Sequence, residues 1–200
     1  MGRIVVTEFV SLDGVMEAPG GGEGYKHAGW TFEIERGGWA FQFERGPEGD
    51  QFKLDEVMAS DALLLGRVTY EGFAAAWPGR TDDVGFADKF NSMPKYVVST
   101  RRPELTWNNS HFVDGDVASG VAKLKQEIRG DVVVHGSATL VRALTEHDLV
   151  DEYRLMVFPV VLGRGKTLFG DTDAPRSLRL VESRPVGNAG VLIVRYEPAR

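Results

Sequence analysis

Between Asp131 and Phe169 the chain reads DVVVHGSATLVRALTEHDLVDEYRLMVFPVVLGRGKTLF, and this stretch constrains the fold more than any other. Val132, Val133 and Val134 are β-branched and bounded by Asp131 and Gly136, as in a buried strand. The period then changes. Leu140, Leu144 and Asp148-Leu149 recur at helical spacing, with Arg142, Glu146 and His147 on other faces. Ser137 is the expected N-cap of that helix. Tyr153 to Leu162 alternates and ends as a nearly continuous apolar run, which suits a central strand. Together these segments predict a βαβ unit with Gly136-Ser137-Ala138-Thr139 at its first turn.

Such a turn has a chemical use. Backbone N–H groups at a helix start lack intrahelical partners and carry the positive end of the helix dipole, so phosphates sit there readily. Gly lets a ligand approach the backbone closely. Gly-Ser is also ordinary turn chemistry, and this turn alone does not choose between the two.

The remaining segments extend the α/β pattern. Arg3 to Val10 predicts a strand in which Thr7 and Glu8 break one face, and Leu12-Asp13-Gly14 a turn. Glu17 to Gly24 is a Gly-rich loop that lacks the G-x-G-x-x-G spacing at every register. Tyr25, Trp30, Phe32, Trp39, Phe41 and Phe43 follow as an aromatic stretch, read as core or as a cover for a planar ligand. Further helices are expected over Gln51–Ala59, from Gly66 through Ala76, over Asp83–Asn91 and over Val117–Ile128. Further strands are expected over Asp61–Leu65, Lys95–Ser99, Trp107–Val113 (an edge), Ser177–Ser183 and Val191–Tyr196. Arg164-Gly165-Lys166-Thr167 resembles the end of a Walker A motif, but Val160 stands where its first Gly belongs. With no internal repeat or linker, a single domain over 1–200 is expected.

Composition narrows the function classes. The chain has 200 residues, no Cys and a net charge of −6. Disulfides and thiolate chemistry are excluded, and nucleic-acid or anionic-membrane surfaces are disfavoured. No run approaches the roughly 18 apolar residues of a membrane span. MGRIVVTEFVSLDG is too polar after Val10 for a signal peptide, so a cytoplasmic location is expected. The four histidines, His27, His111, His135 and His147, show no paired metal spacing, and no metal is expected.

Three strand-to-loop junctions carry Gly, hydroxyl or guanidinium groups: Gly66-Arg67, Ser99-Thr100-Arg101 and Gly136 to Thr139. In α/β sheets ligands bind outside the carboxyl ends of strands. A phosphate-rich cofactor fits all three, whereas a capping Arg and polar loop tips explain each singly.

Ser11-Leu12-Asp13-Gly14, Gly66-Arg67-Val68-Thr69-Tyr70-Glu71, Ser99-Thr100-Arg101, Gly136-Ser137 and the run from Leu149 to Gly163 carry a resemblance. Over essentially its whole length the chain resembles the dihydrofolate reductase-like superfamily, and more closely the reductase domain of bacterial riboflavin biosynthesis. The resemblance implies a mostly parallel central sheet of about eight strands flanked by helices, closed by an antiparallel hairpin, with NADPH along its carboxyl edge. It implies that Gly66 and Thr69 meet the cofactor phosphates, that Arg67, Ser99 and Arg101 recognise the 2′-phosphate, and that Gly136, Ser137, Ala138 and Thr139 lie against the pyrophosphate. The implied reaction is direct hydride transfer to a carbonyl or imine carbon of a small-molecule substrate, without flavin or metal. Asp13 is then the substrate-facing carboxyl, orienting the substrate or assisting protonation; a structural turn role is the alternative.

The chain departs from the family in two places. Ser137 replaces a second Gly at the pyrophosphate turn, and Leu12 to Gly24 is acidic, with no Lys or Arg to receive a ribose phosphate. Nor does Tyr25 to Ser60 contain the Leu-Pro-x-Asp acid of true dihydrofolate reductases. A noncatalytic nucleotide-binding module is the competing class, while a hydrolase is opposed by the missing G-x-S-x-G elbow. Because many members of the family it resembles form homodimers, the resemblance implies a possible homodimer, and the apolar run Met156 to Leu162 is compatible with such pairing or with burial in the monomer.

Overall fold

The structure is a computed structural model that describes residues 1–20, 38–170 and 174–199. Tyr25, His27, Trp30, Phe32 and the end of the Gly-rich loop therefore lie outside the described residues. The strands are β1 (Arg3–Ser11), β2 (Ser60–Gly66), β3 (Lys95–Val98), β4 (Ser110–Phe112), β5 (Asp131–His135), β6 (Glu152–Phe158), β7 (Leu178–Val186) and β8 (Val191–Pro198). The helices are α1 (Gly46–Ala59), α2 (Arg67–Ala76), α3 (Phe86–Ser92), α4 (Val117–Glu127) and α5 (Ala138–Glu146). The strands form one eight-stranded sheet in the order β4-β3-β2-β5-β1-β6-β8-β7. From β4 to β6 all neighbours are parallel; β8 runs antiparallel to β6, and β7 to β8. This is the expected dihydrofolate reductase-like α/β architecture.

Strand alternation decides which helices cover which face. Ile4, Val6 and Val10 of β1, Ala62 and Leu64 of β2, and Val132 and Val134 of β5 pack with Val121 and Leu124 of α4 and Leu140, Val141 and Leu144 of α5. The alternate residues Leu63 and Leu65 turn to the other face, against Val57 of α1, Tyr70 of α2 and Phe90 of α3. Period two in the strands thus sorts the core into two layers. Among the described residues no helix is long and apolar enough to cross a membrane.

The expected βαβ unit is present as β5-α5-β6, with β1 lying between its two parallel strands. Three expectations change on meeting the structure. α1 starts five residues before Gln51, with Pro47 in its first turn, where a missing N–H costs nothing. β6 stops at Phe158, since the Val160 carbonyl instead accepts from the Leu12 N–H at 2.8 Å. Trp107 is not strand: its backbone N–H donates to the Tyr70 hydroxyl at 2.9 Å and its indole to Asn91 at 2.8 Å. The described aromatics bear on the core reading. Trp39 is buried edge-on against Phe158, with Phe43 beside the same ring. Burial inside the chain likewise accounts for Met156 and Phe158.

Candidate functional site

Because β1 to β6 are parallel, their carboxyl ends share one edge, and the strand order lines up the turns found in the sequence. Ser99-Thr100-Arg101 follows β3, Gly66-Arg67 follows β2, Gly136 to Thr139 follows β5 and Asp13 follows β1. Residues scattered over much of the chain are thus adjacent in the order β3, β2, β5, β1.

The two middle turns interlock. The Ser137 hydroxyl accepts from the Gly66 N–H at 2.8 Å and donates to the Thr69 hydroxyl at 2.9 Å. Ser137 does take the N-cap position of α5, but its side chain is spent on this bridge rather than on a cap. It adopts the left-handed region, φ 63°, as does Gly136 at φ 62°. A Cβ on Gly136 would sit 3.0 Å from both Thr69 Cγ2 and Oγ1, and one on Gly66 3.0 Å from Ser137 Oγ. Small residues therefore let the two turns touch. The amino ends of α2 and α5 stand side by side as a result, with no acidic residue in either first turn and no side-chain cap on either helix. Two aligned positive helix ends form an anion-binding edge.

The cationic groups flank this edge. Arg67 donates to Glu71 at 2.7 Å, one turn along α2, which uses part of its five-donor fork and orients the rest. Ser99 orders the β3 turn by accepting from the Arg101 N–H at 3.2 Å, while Thr100 and Arg101 are exposed.

Asp13 lies further along, beyond β1, and is exposed. Its carboxylate accepts from the Ser11 hydroxyl at 2.5 Å, the Gly163 N–H at 2.7 Å and the Leu162 N–H at 3.2 Å. These bonds, Ser11 foremost, pull its pKa down to about 2. Asp13 is thus an ionised carboxylate that pins the loop after β6 to the loop after β1. Its folded pKa is depressed, so the stability it contributes is present above 3.8 and lost as pH falls through about 2. Asp13→Asn is expected to flatten that part of the acid limb of thermal unfolding; superimposable limbs would remove the pinning role.

Sequence reasoning passed over a second carboxyl. Glu8 is only 5% exposed, and its Oε1 has no hydrogen-bond partner among the described residues. Burial raises its pKa well above the usual carboxylate range, with the Gly136 N–H and Lys53 only partly opposing that rise. Nearby His135 also has an unpartnered Nε2, and burial, reinforced by Lys53, lowers its pKa well below that of a free imidazole. The available signal was a carboxylate inside an apolar strand, which Glu8 supplies in RIVVTEFV. Among the described residues no three His, Asp or Glu side chains gather as a metal site.

The opposite edge carries paired charges. There a polar depression of about 370 Å³ is lined by Arg3, Asp151, Arg179, Glu197 and Pro198. It belongs to an ion-pair cluster centred on Glu152, at the amino ends of β1, β5 and β6.

Comparison with known proteins agrees with this architecture. The chain is 29% identical over 197 residues to the uncharacterized protein YyaP of Bacillus subtilis (strain 168), covering 97% of this chain and 94% of that one. A candidate riboflavin biosynthesis protein from Shewanella sp. PV-4 superposes with a TM-score of 0.73 at 20% identity, over 99% of both chains. The Thermotoga maritima diaminohydroxyphosphoribosylaminopyrimidine deaminase/5-amino-6-(5-phosphoribosylamino)uracil reductase gives 0.65 at 12% identity, over 98% of this chain and 56% of that one. Dihydrofolate reductase from Enterococcus faecalis, complexed with NADP(H), gives 0.60 at 14% identity, over 99% and 97%. The model of the RibD C-terminal domain matches residues 3–192, nearly the whole length, so this chain belongs to the RibD C-terminal domain family.

Proposed function

We propose that the chain is an NADPH-dependent reductase that directs hydride to a carbonyl or imine carbon of a small heterocyclic substrate. The observation that carries this reading is the interlock of the β2–α2 and β5–α5 turns, which sets two helix amino ends beside each other. Gly66, Thr69 and Gly136 to Thr139 would hold the pyrophosphate there, and Arg67, Ser99, Thr100 and Arg101 the 2′-phosphate. The fit is chemical. Small residues line the turns where phosphates must approach, and guanidinium groups stand at the next strand ends, where an extra phosphate needs a forked donor. When bound, the cofactor supplies the hydride. Asp13, held ionised, would orient the substrate rather than release a proton at neutral pH.

Family membership and the reductases among the structural neighbours support this reading. The described part of the segment after β1 carries Asp13 and Glu17 and no Lys or Arg, which favours a heterocycle without a phosphate at that end.

Calorimetric titration with NADPH and NADH in parallel tests the cofactor. The wild type is expected to prefer NADPH. Arg67→Ala is expected to weaken NADPH by roughly 10- to 100-fold, the size of a charge-assisted hydrogen bond, with little change for NADH. Equal loss for both would sink the 2′-phosphate assignment, and no binding of either by the wild type would remove the reductase reading. Binding without reduction of any carbonyl or imine would indicate a noncatalytic module.

A further inference from the structure

We propose that Glu8 is the proton donor of the reduction, placed with its unpartnered Oε1 at the point where β1 and β5 part. This inference rests on the reductase reading above.

The position follows from topology. β1 pairs with β5 only as far as Thr7 opposite His135, yet continues beside β6 to Ser11 opposite Phe158. Glu8 is therefore the first β1 residue past its pairing with β5. Here the connections also diverge. β1 leads through α1 to β2 on one side, and β5 leads through α5 to β6 on the other. A crevice between strands whose connections diverge is where open α/β sheets take their ligands. Glu8 lies between the Gly136 turn, assigned to the pyrophosphate, and Asp13, assigned to the substrate.

Burial disfavours the charged form of Glu8, and the groups around it do little to oppose that. From α1, Lys53 and Glu56 pair with one another and share Thr7: Lys53 Nζ donates to the Thr7 hydroxyl at 2.6 Å, and that hydroxyl donates to Glu56 at 3.0 Å. Lys53, the cation that acts on Glu8, is thus already paired with a carboxylate. From β5, His135 is kept uncharged by burial. From the α5 turn, Gly136 offers a single N–H. Nothing there repays the desolvation of a second carboxylate, so burial holds the Glu8 pKa well above the usual carboxylate range and favours the protonated form that a proton donor requires. Asp13 is in the opposite state, held ionised by three protein donors. Two carboxyls of β1 and its following turn are driven apart in this way, a pattern that assigns the acid to Glu8.

The step balances. Hydride, carrying two electrons, forms the new C–H bond, and the π pair of the C=N or C=O bond moves onto the heteroatom. The Oε–H bond of Glu8 breaks as the N–H or O–H bond of the product forms. The nicotinamide is oxidised, the substrate is reduced, and Glu8, left as carboxylate, regains a proton from water.

Infrared spectroscopy of the wild type at pH 7 is expected to show the carbonyl stretch of a protonated carboxylic acid, and Glu8→Gln to lose it. Calorimetry is expected to give NADPH affinities for wild type and Glu8→Gln within about twofold. NADPH oxidation with two phosphate-free heterocyclic probes, 5-amino-6-(ribosylamino)uracil and 7,8-dihydropterin, is expected to fall by roughly 100-fold or more in Glu8→Gln, the size of a general-acid contribution. Glu8→Asp is expected to recover part of that rate, and wild-type turnover to decline as pH rises through the Glu8 pKa. No protonated carboxyl in the wild type, a measurement needing no variant, would overturn the assignment; so would undiminished turnover in Glu8→Gln. A wild type that fails to bind NADPH, or binds it and reduces neither probe, would overturn the reductase reading and the assignment with it. The two failures are distinguished by wild-type NADPH binding and turnover, which are intact when only the Glu8 assignment fails and lost when the reductase reading fails.

Discussion

Gly136→Val is expected to lower stability by about 2–4 kcal/mol and to weaken NADPH by tenfold or more. Two physical terms combine. The residue sits at φ 62°, where an L side chain costs roughly 1–2 kcal/mol and a β-branched one more. Its Cβ would stand 3.0 Å from Thr69 Cγ2 and Oγ1, tighter than ordinary contact, and overpacking typically costs a further 1–3 kcal/mol. Thr69 cannot yield freely, because its hydroxyl accepts from Ser137, which in turn accepts from the Gly66 N–H. Displacing Thr69 therefore spreads to both turns. Thermal unfolding and NADPH titration of Gly136→Ala and Gly136→Val check this together. Alanine carries the backbone strain and its Cβ contact, and valine adds bulk over the helix ends. Full NADPH affinity in a folded Gly136→Val protein would show that the cofactor does not lie there.

Glu152→Ala is expected to cost about 3 kcal/mol at neutral pH, the lower end of what breaking a buried ion pair costs. The Glu152 side chain is fully buried and accepts from Arg3 at 2.9 Å, Arg154 at 2.9 and 3.0 Å, and Arg195 at 2.7 Å. Removing it leaves guanidinium groups crowded at the ends of three strands. Because Arg3 and Arg195 are partly exposed, water screens them, and Asp131 and Glu182 respectively remain as partners, which keeps the loss at the lower end. Burial alone would raise the Glu152 pKa, but Arg154 and Arg195 outweigh it and hold the group at about 2. With the folded pKa depressed, its contribution is present above 4.5 and lost as pH falls toward 2. Denaturant unfolding at pH 7 and at pH 2–3 reads both claims. An equal gap between variant and wild type at the two pH values would place the effect in packing instead of charge. NADPH affinity is expected to be unaffected, since this cluster lies at the sheet edge opposite the cofactor turns.

Local composition determined much of this protein. The Val132–Val134 run, the helical spacing of Leu140 and Leu144, and the closing turn at Gly187 to Gly190 each reflect a preference that a few neighbouring residues satisfy. The candidate cofactor residues were legible for the same reason: a strand ending in Gly or hydroxyl groups before a helix is a local pattern.

Only the tertiary structure decided the rest, and there the reason is long range. The insertion of β1 between β5 and β6 depends on pairings over a hundred residues apart, which no local period encodes. Ser137 looked like a cap and is a bridge, because Gly66 and Thr69 reach it from β2 and α2. Asp13 read as a turn residue or an acid; the Ser11 hydroxyl, joined by N–H groups from the distant loop after β6, holds it ionised. Glu8 read as a polar interruption in a strand. Its pKa is raised by burial, which the Gly136 N–H and Lys53 only partly oppose, and desolvation is set by the whole surrounding fold rather than by neighbours in sequence.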